Sequence, residues 1–313
     1  MSEMRASSVT TSGAPQPTSP TGAAEREFTV KERSQLQQAM RRFMRHRLAV
    51  ASLAIFALIV LLAFVGPLVW KYKSIDITPD NSQPPSLAHP FGTDGLGHDG
   101  FAQVLRGLQI SVRVALCIAL VATTLGVLWG GISGYYRGLA DSVLMRLADL
   151  ILTIPSIALA AALGNTSGGA WWMIALILGG LSAPLVARAV RGVVLSLREQ
   201  EFIEAARALG ASDSRILLRH LVPNAFAVVI VYATLLVAAG ILAETALSYV
   251  GFGVRSPDTS LGLLISDAQS AVQTRPWLFY FPGLFIILIA LTVNFIGDGL
   301  RDALDPRQTR QRR

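Results

Sequence analysis

Apolar residues run along this chain in six long stretches that are separated by shorter polar segments. The stretches cover approximately residues 48–69, 114–133, 143–163, 171–187, 225–247 and 278–296. An α-helix needs roughly 20 apolar residues to cross the hydrocarbon core of a bilayer. The third stretch is the least regular, because it contains Asp149 and Pro155. The pattern therefore predicts an all-α integral membrane protein with six transmembrane helices.

The polar segments divide the chain further. Residues 1–29 are rich in Ser, Thr, Pro, Ala and Gly without apolar periodicity, which predicts a disordered tail. Residues 30–47 combine arginines with apolar residues at helical spacing. This is typical either of a basic amphipathic helix on an anionic membrane surface or of a helical lead-in to the first span. We expect a first span and an external segment over 48–107, a core over 108–304, and a basic C-terminal tail over 305–313.

The distribution of basic residues predicts the orientation in the membrane. If the N-terminus is cytoplasmic, 21 of the 27 lysines and arginines lie in cytoplasmic segments or at their edges. Cytoplasmic loops of membrane proteins carry such an excess of Lys and Arg. Both termini are therefore predicted to be cytoplasmic, and residues 70–107 and 248–277 to form the longer external segments.

Composition agrees with a membrane protein. The chain has 313 residues, of which 52% are hydrophobic and 15% charged, whereas soluble domains are usually about 25% charged. The net charge of +7 does not indicate a nucleic-acid partner, since the basic residues are spread over separate loops. Cys117 is the single cysteine, which excludes an intrachain disulfide.

One polar segment, EFIEAARALGASDSRILLRHLVPN (residues 201–224), stands between two apolar runs. Its apolar residues Phe202, Ala205, Ala206 and Leu209 fall on one helical stripe. Gly210 is a suitable C-terminal stop, and Ser212 or Asp213 can cap a second helix. Pro223 is expected to limit that second helix before the next span. The segment thus predicts a helical hairpin whose thin first helix suits insertion into a groove.

These residues resemble the cytoplasmic EAA loop of the permease subunits of ATP-binding-cassette importers. The spacing of the pattern is matched by Glu204, Ala205, Ala206, Gly210 and Pro223. His220 and Val222 depart from it, but Arg219, His220, Pro223 and Asn224 resemble the ending found in the peptide and nickel branch. Residues 89–107, 244–254 and 281–307 also resemble that branch, although His98 replaces its usual Arg. The chain is most similar to the C-type subunit of dipeptide and oligopeptide importers.

The resemblance implies a six-helix, type I importer fold in the bacterial cytoplasmic membrane. It implies a homologous second permease, two ATPase subunits and an extracytoplasmic substrate-binding protein as partners. ATP and Mg would be bound by the ATPases, and this chain would be a non-catalytic subunit without a cofactor. In the coupling loop, residues 198–224, Glu204 and Arg207 would make polar contacts with an ATPase. Ala205, Ala206 and Leu209 would pack there, and Gly210 would permit the turn.

The sequence itself contains no glycine-rich loop followed by Lys and Ser or Thr that could cradle ATP phosphates. His89, Asp94, His98 and Asp99 lie close together in the chain, but their spacing matches no compact metal motif. We expect them to form turns and caps and predict no metal site.

Other polar or small residues lie within or beside the apolar runs. Glu244 is expected either to line a translocation pathway or, preferably, to accept hydrogen bonds from the following loop. Asp149 is expected to pair with Arg146, three residues earlier. Four glycines at every fourth position predict a face for close helix packing: Gly126, Gly130, Gly134 and Gly138.

Two other classes of protein compete with the importer subunit. A stand-alone secondary transporter would need an ion site at mid-membrane, for which Asp149 and Glu244 are the available candidates. A membrane scaffold or receptor would not require the EAA spacing. Within the importer class the sequence favours dipeptides or oligopeptides, and nickel chelates or haem remain alternatives.

Overall fold

The computed structural model describes residues 35–165 and 168–304, in which the regular elements are helices, together with two isolated β-bridges. The tails predicted over 1–29 and 305–313 lie outside the described residues. The described helices are α1 (Gln35–Phe43), α2 (Arg47–Val69), α3 (Gly100–Tyr136), α4 (Gly138–Thr153), α5 (Ser156–Gly164), α6 (Trp171–Arg198), α7 (Glu201–Ala208), α8 (Asp213–Arg215), α9 (Val222–Tyr249), α10 (Leu261–Ala268) and α11 (Trp277–Leu304). A π-helical turn, Ile216–Leu221, joins α8 to α9.

Five of these helices are long and apolar enough to cross a membrane: α2, α3, α6, the continuous helix Asp213–Tyr249, and α11. α3 begins well before the predicted second span, because Asp99 caps its first turn by accepting the Ala102 N–H at 2.7 Å. Leu105 and Leu108 are buried within the added turns. The other apolar runs agree with the observed helices apart from their ends.

The third predicted span is two helices rather than one. α4 and α5 meet at an angle of 84°, and Pro155 lies at the junction. Proline lacks an N–H and disfavours helical geometry in the residue before it, here Ile154, which is extended. The stretch 143–163, predicted to be the least regular of the six, is thus a span that is broken at Pro155.

Contacts at both ends show that this bent pair still crosses the membrane. Arg137, after α3, forms an ion pair with Glu199, after α6, at 2.5 Å. The two helices therefore end on the same side. At the other end, Arg255 donates its N–H to the Gly169 carbonyl at 3.3 Å, which places the start of α6 beside the segment after α9. The chain must cross between residues 137 and 169, which makes six crossings.

These contacts define two sides of the molecule. The loop side holds the ends of α3, α6 and α11, together with α1 and residues 199–221. The cavity side holds residues 70–99 and 250–276 and contains a cavity of about 600 Å³. On the loop side, Phe43 of α1 packs with Ala49 and with Ala303 of α11.

α3 is the central helix and packs against α2, α6, α9 and α11. One buried cluster joins Val104, Leu108 and Val112 of α3 to Ile241 of α9 and Ile289 of α11. α2 is peripheral, since only 22% of its apolar window is buried within the chain. Its exposed leucines suit a surface that faces lipid or another subunit.

Candidate functional site: the 198–224 loop and its supports

α7 carries charges that suit its two ends. Glu201 and Glu204 lie in the first turn and Arg207 in the last, where they complement the helix dipole. The helix then ends in a Schellman motif. The Ala211 N–H donates to the Ala206 carbonyl at 3.1 Å and the Gly210 N–H to the Arg207 carbonyl at 3.0 Å. Gly210 has φ = +79°, a conformation that strongly favours glycine.

The second helix of the hairpin does not stop at Pro223. α8, the π turn and α9 form one helix that continues through Pro223 into the membrane. The prediction of a separate second helix was wrong because the wider π turn accommodates a residue that lacks an N–H. Its last bond runs from the Val222 N–H to the Leu217 carbonyl.

Ser212 stands at the predicted cap position, but its side chain makes no capping hydrogen bond. Asp213 instead accepts a hydrogen bond from the Tyr135 hydroxyl at 2.6 Å. Arg207 also interacts with that hydroxyl. The residue that was predicted to contact an ATPase therefore lies beside α3 of its own chain. Together these polar contacts connect both arms of the loop to the end of α3.

The buried side of the loop is apolar. Ile203 of α7, Ile216 and Leu221 are each 0% exposed and pack in one cluster with Val190 and Val194 of α6. Ile203 was not part of the predicted stripe. A helix of two turns has too few residues for periodicity to distinguish the face that packs on its own chain from the face that remains open.

The opposite face of α7 is open. Leu209 is 88% exposed and Phe202 is 43% exposed. Glu204 and Ala205 are also exposed, and Ala206 is half-buried. The loop therefore presents an apolar patch with an acidic edge, held in place by the buried Ile203.

Three of the four predicted packing glycines lie against α6. A Cβ on Gly126 would meet Val186 Cβ at 2.5 Å, one on Gly130 would collide with the Ala187 carbonyl, and one on Gly134 would meet the Arg191 carbonyl at 3.0 Å. Gly138 differs, because no described atom lies within 4 Å of such a Cβ and its φ is +59°. It begins α4 after the sharp turn, where glycine is needed for the backbone rather than for packing.

Two ion pairs connect α4 to α6. Arg191 makes a bidentate contact with Asp141, with both N–O distances 2.5 Å. Arg188 pairs with Asp149. The expected partner of Asp149 was Arg146 on the same helix, and this was wrong because the bend at Pro155 leaves α4 lying across α6. Sequence spacing alone contains no signal for that tertiary partner.

Glu244 is 0% exposed and lies within a group of hydroxyls. Ser248 donates to its carboxyl at 2.6 Å and Ser111 at 3.4 Å. Ser111 also accepts the Leu261 N–H at 3.0 Å. The carboxyl thus connects α9 to α3 and to the start of α10. A pathway role for Glu244 stays a prediction.

The histidines and aspartates of residues 89–99 form local hydrogen bonds. Asp99 caps α3, accepts the Trp70 indole N–H at 2.9 Å and contacts His89 Nδ1 at 2.7 Å. Asp94 contacts His98 at 2.8 Å. Within residues 35–165 and 168–304, no group of three His, Cys, Asp or Glu side chains has a geometry suited to a metal ion.

Two models of known protein families match this chain. The model of the binding-protein-dependent transport system inner membrane component matches residues 123–310. The model of the N-terminal TM domain of oligopeptide transport permease C matches residues 34–85. The two matches together include α2, the last part of α3 from residue 123, and the whole 198–224 loop.

Curated relatives agree over most of the chain. The oligopeptide transport system permease protein OppC of Mycobacterium tuberculosis is 45% identical over 278 residues, 88% of this chain and 95% of the relative. OppC of Bacillus subtilis is 38% identical over 287 residues, 91% of this chain and 94% of the relative. A putative peptide permease of Brucella suis is 39% identical over 276 residues, 87% of this chain and 91% of the relative. This chain belongs to the family of binding-protein-dependent transport system inner membrane components, within its oligopeptide permease C group.

Proposed function

We propose that this chain is one permease subunit of an ATP-driven importer of dipeptides and oligopeptides. Family membership and the peptide-transport names of relatives that match most of the chain support this substrate class. The loop side is the cytoplasmic side of a bacterial inner membrane, in agreement with the excess of Lys and Arg there. A homologous second permease completes the pathway, and an extracytoplasmic binding protein delivers the substrate.

The open face of α7 supports the proposal that a partner ATPase binds there. Leu209 at 88% exposure and the half-exposed Phe202 form an apolar patch on a polar side of the molecule. An amphipathic helix with such a patch binds in a groove of a partner. Ala205 and Ala206 keep the helix thin enough to enter, and Glu204 lies at the edge for a polar contact. The ATPase supplies the nucleotide site.

Three connections can transmit motion from the loop to the spans. The helix Asp213–Tyr249 runs unbroken from the loop through the membrane. The Tyr135–Asp213 hydrogen bond connects the loop to α3, and Ile203 packs against α6. A displacement of α7 by closing ATPases therefore moves α3, α6 and α9 together. This is the motion that alternating access requires.

The surroundings of Asp149 and Glu244 give less support to a stand-alone secondary transporter. Such a transporter needs ionisable groups that bind and release ions at mid-membrane. Asp149 is paired with Arg188, and Glu244 is surrounded by serine hydroxyls with no exposed surface. Nickel chelates and haem remain alternative substrates of the same importer class, and transport assays separate them from peptides.

Substitution of Leu209 by Asp tests the coupling role. We expect loss of the copurifying ATPase and at least about tenfold slower peptide uptake, because an unpaired charge in an apolar contact costs about 2 kcal/mol or more. Leu139→Asp is the matched control, since Leu139 is 85% exposed on the loop side but lies outside the loop. Pull-down of the tagged full chain from mild detergent and uptake in vesicles are the measurements.

The control variant should retain both the ATPase and the uptake. Equal retention in the Leu209 variant would contradict docking at α7. Equal loss in both variants would contradict a contact specific to this loop.

A further inference from the structure

The cavity side contains a pocket of about 600 Å³, within the roughly 300–1,000 Å³ range of small-ligand sites. Its wall is formed by residues 74–75 and 91–98, by the starts of α3 and α11, and by residues 256–275. Apolar side chains, among them Phe91 and Trp277, alternate with charged ones. Neither α7 nor the 198–224 loop contributes to it.

Most charges in the pocket already have partners. Asp94 contacts His98 at 2.8 Å, and Asp258 forms an ion pair with Arg106 at 2.5 Å. Both carboxyls thus have partners within the chain. They also fix the wall, because Arg106 belongs to α3 and Asp258 to the segment before α10.

Asp267 is the exception among the acidic residues. It lies on α10 with its carboxyl in the pocket, and no hydrogen bond or ion pair is formed by that carboxyl with the described residues. Burial raises the pKa of Asp267 above its ordinary value. The residue is nevertheless exposed to solvent, so a cationic ligand can reach the carboxylate and replace the hydration that the pocket wall removes.

Arg275 is the exception among the basic residues. Its guanidinium donates to the Ser82 hydroxyl at 3.2 Å and has no carboxylate within ion-pair distance among the described residues. It lies directly over the backbone of Gly95, where a Cβ would come within 2.5 Å of its Nη1 atom. The adjacent Trp277 indole donates to the Thr93 carbonyl at 3.4 Å. The guanidinium is thus held in the pocket wall with donors to spare.

We propose that this pocket is a binding site for a short free peptide, with Asp267 receiving the terminal ammonium group and Arg275 the terminal carboxylate. One unpaired acid and one unpaired base in the same pocket match the two charges of a zwitterion. Apolar residues of the same lining, such as Phe91 and Leu264, suit the apolar parts of the peptide. The choice of a peptide as ligand rests on the proposed function, whereas the site itself rests on the pocket.

Trialanine binding to the purified full chain in lipid nanodiscs tests this site by calorimetry. Trialanine should bind, and N-acetylation or C-amidation should each weaken binding about tenfold or more, because a hydrogen bond to a charged group contributes about 1.5–3 kcal/mol. Asp267→Asn should weaken trialanine binding by a similar factor without weakening the N-acetylated peptide further. Arg275→Gln should show the same relation with the amidated peptide.

Asp76→Asn and Arg255→Gln are the matched controls. Both residues lie on the cavity side and outside the pocket wall, and each variant removes one charge of the same sign. They should bind trialanine as the unchanged chain does. Absence of trialanine binding, or equal affinity for the free and blocked peptides, would overturn the proposal.

The two proposals fail in different ways. If the Leu209 test contradicts ATPase docking while trialanine still depends on Asp267 and Arg275, the peptide site stands without the importer. If the ATPase couples through the loop but the affinity for trialanine does not depend on Asp267 or Arg275, the importer proposal stands and the proposed site is wrong. Weaker docking of a binding protein to the Asp267 variant, with unchanged trialanine affinity, would also overturn the peptide site.

Discussion

Glu244 shows how the surroundings of one residue determine its role. Its side chain is 0% exposed, and the hydroxyls of Ser111 and Ser248 both donate to it. A buried acceptor with such donors contributes to stability mainly because its removal leaves those donors without partners. Glu244 therefore connects three helices through these hydroxyls.

Replacement of Glu244 tests this role at the scale of a residue. We expect Glu244→Ala to destabilise the chain by about 2–5 kcal/mol, since it leaves a cavity and unpaired hydroxyls. Glu244→Gln should cost much less, because its amide keeps one acceptor and has donors that the serine oxygens can accept. Thermal unfolding in detergent measures both. Equal loss in the two variants would indicate that the negative charge itself is required.

At the scale of elements, the contact between α3 and α6 depends on backbone proximity. A Cβ built on Gly130 would collide with the Ala187 carbonyl oxygen. It would also lie 3.0 Å from the Arg191 backbone nitrogen. A Cβ built on the neighbouring Gly131 would meet only the end of the Leu217 side chain, at 3.4 Å. A backbone atom cannot move aside cheaply, whereas a flexible side chain can.

Two alanine substitutions test this contact with adjacent residues. Gly130→Ala should destabilise the protein by about 1–3 kcal/mol, because the added methyl group forces α3 and α6 apart. Gly131→Ala should be neutral or slightly stabilising, since alanine favours helix by about 1 kcal/mol. Thermal unfolding of both variants in the same detergent is the measurement. A Gly130 variant as stable as the Gly131 variant would show that the helices do not approach this closely.

At the scale of the whole molecule, the bent pair α4–α5 determines the number of crossings. If α4–α5 crosses the membrane, residues 165 and 73 lie on one side of it and residues 139 and 214 on the other. If it turned back, α6 would run in the opposite direction. Its end at Arg198 could then not reach the Tyr135 carbonyl, to which it donates a hydrogen bond.

Labelling in intact cells tests this topology. In a Cys117→Ala background, Lys73→Cys and Asn165→Cys should react with a membrane-impermeant maleimide from outside. Leu139→Cys and Ser214→Cys should react only after permeabilisation. The background without cysteine should stay unlabelled. An Asn165 variant that behaves like the Leu139 variant would contradict six crossings.

Much of this architecture is readable from local pattern. The apolar runs predict the spans because a bilayer requires continuous apolar length. The spacing of Glu204, Ala205, Ala206 and Gly210 identifies the loop, and Gly210 adopts the left-handed turn at the end of α7. Gly126, Gly130 and Gly134 recur at helical spacing on α3 and lie together against α6, as their period indicates.

Other features depend on which segments meet in space. Arg188 rather than Arg146 pairs with Asp149, because the turn at Pro155 brings α4 across α6. Ile203 faces the core because α7 lies against α6, and two turns of helix contain no signal for that choice. The π turn before Pro223 is also invisible to periodicity, because it adds one residue to a turn without interrupting the helix.

The sequence by itself determined the class of the protein, its spans and its loop, because apolar length, charge distribution and motif spacing are local properties of the chain. Only the tertiary structure decided which face of α7 stays open, which partners the buried carboxyls have, and that Asp267 and Arg275 share one pocket. Those outcomes depend on helices far apart in the sequence packing side by side, and the order of residues within a single helix does not encode that contact.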